Sequence, residues 1–224
     1  MTHVLIATPT AGGVVKSLYA TTLVKTVLAV KDAGWGVDFV TIDSDMSCEG
    51  HVICRLLGRD KPVIAAAYSQ RRMDMAAFAQ AARNPELSLA DLAALALEYN
   101  LQVELEVGAR QVRVVDGMCR VNQIALGCSV IRRDAFESLI AAGIAQQRPD
   151  RFLQKSGLGD LFYDFFGEIR MDDGDILSED YSFCKRWRSI PTNEIWAIVD
   201  EPIGHVGDMI YDAPYLKRLL HGKA

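Results

Sequence analysis

Short apolar runs alternate with segments of helical apolar spacing along the first third of the chain. The runs predict buried strands, and the helical spacing predicts helices between them. The predicted elements are strands at residues 4–7, 37–42 and 62–68, and helices from Val14 or Ser17 to residue 33 and over residues 49–58. A strand-helix-strand start implies a parallel pair with a right-handed crossover. We therefore predict an α/β fold, with a mixed, mostly parallel sheet sandwiched by helices.

The rest of the chain contains further elements and no internal repeat, which favours a single domain over residues 1–224. The predicted elements are a helix capped by Ser88 within residues 84–100, a hairpin of residues 103–107 and 111–115 turning at Gly108, strands at 124–131 and 195–199, a helix over 134–142 that Asp134 could cap, and a helix after Ser178. Together they suit a chain of 224 residues that buries one core.

Composition narrows the function classes. A net charge of −5 argues against a general nucleic-acid binder, although it does not exclude a site for one nucleotide. The five cysteines form no Cys-x-x-Cys pair, so neither a zinc ribbon nor a disulfide framework is indicated. They are typical of reduced thiols in a cytoplasmic protein. No apolar stretch approaches the roughly 20 residues of a membrane span, and the first residues show no signal-peptide pattern.

Asp43-Ser44-Asp45 follows the predicted strand at residues 37–42, where open α/β sheets bind ligands. The two carboxylates can turn toward one cation at such a strand end. A hard ion such as Mg²⁺ or Mn²⁺ suits carboxylate oxygens and often brings a substrate phosphate with it. The alternative is a solvated turn, because Asp and Ser favour turns for local hydrogen-bonding reasons.

Two further groups are candidates for chemistry. Glu179 and Asp180 would lie in the first turn of the helix after Ser178, where one of them could act as a general base. The alternative is that both simply stabilise the helix N-terminus. His205 lies between two glycines after the strand at 195–199, and an imidazole accepts Mn²⁺ more readily than Mg²⁺. Its alternative is a core or turn histidine without a ligand.

The order of these motifs resembles a GT-A-type glycosyltransferase of the bacterial and phage branch, over nearly the whole chain. The motifs that carry the resemblance are Thr-Pro-Thr-x-Gly-Gly, Asp-Ser-Asp-Met, Gly-Cys-Ser-Val-Ile-Arg-Arg, Leu-Ser-Glu-Asp-Tyr-Ser-Phe-Cys-Lys-Arg-Trp and Gly-His-Val-Gly. It implies a Rossmann-like GT-A fold and a metal-dependent transfer of a sugar, of the hexosyltransferase kind, from a nucleotide-diphosphate sugar to a glycan, lipid or protein acceptor. A homo-oligomer is left open.

The resemblance also implies roles for individual residues. It implies that Asp43, Asp45 and His205 hold Mn²⁺ or Mg²⁺ on the donor diphosphate. Thr8 and Pro9 would touch the nucleotide, and Gly127 and Cys128 would lie near the sugar. Glu179 and Asp180 would orient the acceptor, with Asp180 as the base.

One departure from the family pattern lies at the Asp-x-Asp motif. Relatives place a strand and a helix before the motif strand, whereas here the second strand and the motif strand are fused. We therefore expect a missing or deleted segment near residues 43–46. A sugar-nucleotide-binding or assembly protein that has lost catalysis is the alternative function. A dinucleotide enzyme is weaker, because Ala11-Gly12-Gly13 is not Gly-x-Gly-x-x-Gly.

Overall fold

The structure, a computed structural model, describes residues 3–8, 36–148, 155, 162–207 and 210–221. The described strands are β1 His3–Thr8, β2 Gly36–Ile42, β3 Met46–Ser47, β4 Val63–Ala66, β5 Ser69–Met73, β6 Leu97–Tyr99, β7 Leu101–Val103, β8 Met118–Ile124, β9 Cys128–Arg132, β10 Ile169–Arg170, β11 Ile176–Leu177, β12 Ile195–Ile198, β13 Gly204–Val206 and β14 Ile210–Tyr211. The described helices are α1 Gly50–Gly58, α2 Met75–Ala81, α3 Leu89–Ala96, α4 Arg133–Ala141, α5 Glu179–Arg188 and α6 Tyr215–His221. The α/β fold class is confirmed.

A seven-stranded sheet in the order β1-β2-β9-β4-β12-β8-β7 forms the centre of the described chain. Its β1-β2 and β4-β12 pairs are parallel, and its other four neighbouring pairs are antiparallel. The sheet is therefore mixed, as predicted, but parallel pairs do not predominate. The reason is that β9 lies between β2 and β4 and runs against both of them. In this sheet, β8 and β9 run opposite to the other five strands.

Both faces of the sheet are buried, as the continuous apolar runs predict. Side chains alternate between the faces, so Phe39 and Val40 enter different apolar clusters. One face packs against Val52 and Leu56 of α1. The other face carries an aromatic cluster with α4 and α5, in which Phe39, Phe136, Phe165, Phe166 and Phe183 are fully buried.

Several predicted boundaries differ from the structure. Residues 103–107 and 111–115 do not pair with each other, because β7 pairs with β8 instead. The tight turn is Asp116-Gly117, where both residues have positive φ and Val115 and Met118 exchange two hydrogen bonds of 2.9 Å. An Asp-Gly pair is a strong hairpin signal, so the sequence did contain this information.

The structure also tests the predicted strand at 124–131 and the predicted helix caps. The predicted strand at 124–131 is two strands, because the chain leaves the sheet between Ile124 and Cys128. Helix α3, Leu89–Ala96, lies within the predicted range of residues 84–100, and its Ser88 cap is confirmed. Asp134 lies in the first turn of α4 and does not cap it. The helix predicted at 14–33 lies outside the described residues.

None of the helices in the described part of the chain is long and apolar enough to cross a lipid bilayer.

Candidate functional site

The Asp-Ser-Asp motif lies where β2 ends at the edge of the sheet. The Asp43 N–H donates to the Gly127 carbonyl across 2.8 Å, and the Met46 N–H donates to the Asp43 carbonyl across 3.0 Å. Residues 43–46 therefore form a turn held against the segment before β9. The segment expected to be missing here stays a prediction. Thr8 reaches the same edge, since its backbone is in register with Thr41 in the β1-β2 pair. Pro9 lies outside the described residues.

Four residues meet at this edge, and we call them the Tyr68 cluster: Asp43, Tyr68, Gly127 and Asp180. The Gly127 N–H donates to the Tyr68 hydroxyl oxygen across 3.2 Å. A Cβ at position 127 would lie 2.6 Å from both Asp43 Oδ2 and the Tyr68 hydroxyl oxygen. A side chain at position 127 would therefore clash with both groups, so the close approach of the Gly127 backbone to them requires glycine.

Asp180 joins the cluster from α5. Its Oδ2 accepts the Leu126 N–H across 2.9 Å, and the residue is 8% exposed. Glu179, the first residue of α5, is partly exposed. Burial raises the pKa of Tyr68 well above its usual value, and the nearby Asp180 and Asp43 carboxylates raise that pKa further. The Tyr68 phenol therefore stays protonated near neutral pH and can donate a hydrogen bond.

Asp45 and His205 form a second group beside the Tyr68 cluster. They are 160 positions apart in the sequence, yet His205 Nε2 lies 3.3 Å from Asp45 Oδ2. The approach results from the pairing of β3 with β13, in which His205 is opposite Met46. Arg71 Nη1 also lies 3.3 Å from Asp45 Oδ2. The Tyr68 and His205 rings connect the two groups edge to face, with centroids 5.3 Å apart.

The hydrogen-bond chemistry of His205 limits what can lie between it and Asp45. Nδ1 is 2.8 Å from the Ser69 carbonyl oxygen, which only accepts, so Nδ1 must carry a proton. In a neutral ring the Nε2 lone pair would then face a carboxylate oxygen. Two lone pairs repel at this distance. Either Nε2 is also protonated, or a cation lies between the nitrogen and the oxygen.

Asp45 and His205 could hold a divalent metal only if further ligands complete its coordination shell. Among the described residues, no group of three or more His, Cys, Asp or Glu side chains could hold a metal ion. Asp45 and His205 supply one oxygen and one nitrogen, and the His205 Nδ1–H bond to a carbonyl is the usual way to orient a metal-binding imidazole. Phosphate oxygens and water would have to complete the shell.

Cys128 does not point into an open pocket. Its side chain is fully buried in the apolar cluster that packs against α1, where Cys48 also packs. The role near the sugar that the resemblance implies for Cys128 stays a prediction.

Tyr68 and Arg71 are absent from the sequence-based set of site residues. Tyr68 ends the apolar run at residues 62–68, just as Asp43 ends the run at 37–42, so the position of Tyr68 was a usable signal. Nothing local marks Arg71, which reaches Asp45 through the packing of β5 against β13.

A cavity of about 480 Å³ lies apart from these residues, against β8 and β12. None of the predicted site residues in the described chain lines it. Of its charged groups, Arg120 Nη1 lies 3.0 Å from Glu194 Oε1, and Lys61 Nζ lies 4.0 Å from the centre of the Trp196 ring. We place the candidate site at the sheet edge, where carboxylates, a phenol, an imidazole and a guanidinium lie close together.

Comparisons with known proteins leave the family open. No family model matches the chain, and no curated protein matches it. Among solved structures, it is similar to the crystal structure of A197 from STIV, with 13% identity, 93% of this chain and 87% of that chain covered, and a TM-score of 0.41. A likeness at this score carries no argument about function.

Proposed function

We propose that the protein is a metal-dependent glycosyltransferase that moves a sugar from a nucleotide-diphosphate sugar to an acceptor hydroxyl. The observation that carries the proposal is the 3.3 Å approach of His205 Nε2 to Asp45 Oδ2, which puts an imidazole nitrogen and a carboxylate oxygen within reach of one cation. The hydrogen bond of His205 Nδ1 to the Ser69 carbonyl oxygen leaves Nε2 as the nitrogen that would bind it. An imidazole nitrogen accepts Mn²⁺ more readily than Mg²⁺, so Mn²⁺ is the ion proposed here.

The neighbouring residues supply the other functions that sugar transfer requires. A metal ion would stabilise the charge of the leaving diphosphate. Arg71 lies beside Asp45, so its guanidinium can contact phosphate oxygens at the same place. The protonated Tyr68 hydroxyl offers a donor close to Asp43 and Asp180. Asp180 would take the proton of the acceptor hydroxyl. The Leu126 N–H occupies one lone pair of Asp180 Oδ2, so a different lone pair of the carboxylate would accept that proton.

The burial of Asp180 supports a second candidate function. A base must come within about 3.2 Å of the hydroxyl that it deprotonates. Asp180 is 8% exposed, and it already accepts a hydrogen bond from the Leu126 N–H. That hydrogen bond gives Asp180 a structural role. If it does nothing else, the protein binds a sugar nucleotide without transferring the sugar.

The test compares binding with turnover in two isosteric variants. Asp45→Asn should weaken Mn²⁺-dependent binding of a nucleoside diphosphate by at least about tenfold, because the ion joins the protein to the diphosphate. Asp180→Asn should leave that binding nearly unchanged and lower turnover by about 10²- to 10⁴-fold. Binding is measured by titration calorimetry with UDP, GDP and ADP, and turnover by release of the nucleotide from the matching sugar donors.

Asp172→Asn is the matched control, since Asp172 is exposed in a turn outside the site. It should change neither binding nor turnover. Absence of Mn²⁺-dependent binding for all three nucleotides in the unmodified protein would refute the proposal. Binding without turnover, unaffected by Asp180→Asn, would favour the second candidate function.

A further inference from the structure

Two of the free thiols in the described chain pack in the same apolar cluster. Cys48 follows β3 and is partly exposed, whereas Cys128 begins β9 and is fully buried. Cys128 belongs to the buried apolar cluster between the sheet and α1, and Cys48 packs against that cluster. Register explains the approach, because Cys128 pairs with Ile42 and the turn at residues 43–46 brings the chain back toward β9.

The two thiols differ in exposure and in pKa. The hydrogen bond from Cys128 lowers the pKa of Cys48 to about 7, so a substantial fraction of Cys48 is thiolate near neutral pH. The same hydrogen bond, and then burial, raise the pKa of Cys128. Cys48 is therefore the accessible nucleophile, and Cys128 is the protected neighbour that remains a thiol.

We propose that Cys48 and Cys128 form a reversible disulfide when the protein meets a peroxide. The Cys48 thiolate attacks one peroxide oxygen, the O–O bond breaks, and hydroxide leaves as Cys48 becomes a sulfenic acid. The Cys128 sulfur then attacks the Cys48 sulfur. An S–S bond forms, the S–O bond breaks, and the departing hydroxide takes the Cys128 proton to give water. Two thiols lose two electrons in total, and the peroxide is reduced to water.

The disulfide would join the segment that carries Asp45 to the strand that follows Gly127. Formation of this bond does not rest on the proposed glycosyl transfer, because neither step uses a metal or a nucleotide. A dithiol would reverse it by thiol–disulfide exchange.

The experiment maps the bond in the unmodified protein after mild treatment with hydrogen peroxide. Trypsin leaves Cys48 and Cys54 in one peptide, residues 32–55, and Cys128 in residues 121–132. Further cleavage after Glu49 separates residues 32–49 from 50–55. We expect a mass equal to residues 32–49 plus 121–132 less two hydrogens, which dithiothreitol splits. Cys54, in residues 50–55, should remain free in the monomer.

Serine variants supply the controls. In Cys128→Ser, the sulfenic acid of Cys48 should persist and be trapped by dimedone, whereas Cys48→Ser should give no linked peptide. Cys54→Ser should behave as the unmodified protein does, because Cys54 is exposed outside the pair. Oxidation of Cys48 to sulfinic or sulfonic acid without linkage to residues 121–132 would overturn the proposal. Unchanged thiols, or a Cys48 disulfide between two molecules, would also overturn it.

Discussion

Gly127 lies between the Asp43 carboxylate and the Tyr68 hydroxyl, with no room for a side chain. We predict that Gly127→Ala lowers the free energy of unfolding by about 1–3 kcal/mol, the usual effect of forcing an extra group into a packed site. The new methyl group would also displace Asp43 and weaken Mn²⁺-dependent nucleotide binding. Urea unfolding measures the first effect, and calorimetry measures the second.

Gly58 provides the matched control for this change. It ends α1, and a Cβ there would meet nothing within 4 Å. Gly58→Ala should leave stability unchanged or raise it by about 0.4–1 kcal/mol, because alanine restricts the unfolded chain. Equal stability of Gly127→Ala and Gly58→Ala would show that the Tyr68 cluster is not closely packed.

At the scale of elements, Asp91 connects two helices. It completes the capping box of α3 with Ser88, and its Oδ1 accepts from Lys217 Nζ of α6 across 2.5 Å. The hydrogen bond from Lys217, and then that from Ser88, hold the pKa of the Asp91 carboxyl below its usual range. A carboxyl with a lowered pKa in the folded state stabilises the protein above its unfolded pKa, and that contribution is lost as the pH falls.

We therefore predict that Asp91→Asn destabilises the protein at neutral pH, and that the difference shrinks as the pH falls below about 4, near the pKa of an unfolded aspartate. Lys217→Met should reduce the same pH dependence, because it removes the ammonium that lowers the pKa of Asp91. The measurement is urea unfolding of all three proteins over a range of acidic pH. A difference between Asp91→Asn and the unmodified protein that stays constant with pH would contradict the assignment.

At the scale of the whole molecule, a ligand that binds only the folded protein must raise its melting temperature. At a concentration of about 100 Kd, binding adds about 2.7 kcal/mol. For a protein of this size, that corresponds to about 5–10 °C. We predict a shift of this order with Mn²⁺ and the preferred nucleoside diphosphate together. Nucleotide without Mn²⁺ should give a much smaller shift.

The same thermal measurement separates the metal site from general nucleotide binding. Asp45→Asn should lose the Mn²⁺-dependent part of the shift and keep any part that the nucleotide produces alone. Equal shifts in Asp45→Asn and the unmodified protein would place the metal elsewhere or remove it from the mechanism.

Local patterns were enough to predict the principal strands and helices of the described chain. β2, β4, α1, α4 and α5 lie close to their predicted positions because apolar spacing and caps act over a few residues. The same reasoning placed Asp43 at a strand end and Asp180 in the first turn of a helix. Strand pairing was predicted less well, because hydrogen bonds between strands depend on segments far apart in the chain. The insertion of β9 between β2 and β4 follows no local pattern.

For the candidate site, too, some features follow from the local sequence and others only from the tertiary structure. Its residue types and their places at the ends of elements follow from the sequence, since turn chemistry and helix starts are local. Which side chains meet is a tertiary result. The 3.3 Å approach of His205 to Asp45 depends on the pairing of β13 with β3, and that of Arg71 depends on the packing of β5 against β13. Tyr68 joins both groups only because β4 ends beside the segment that holds Gly127. Side-chain contacts of this kind are made between elements, so their distances exist only once the sheet has assembled.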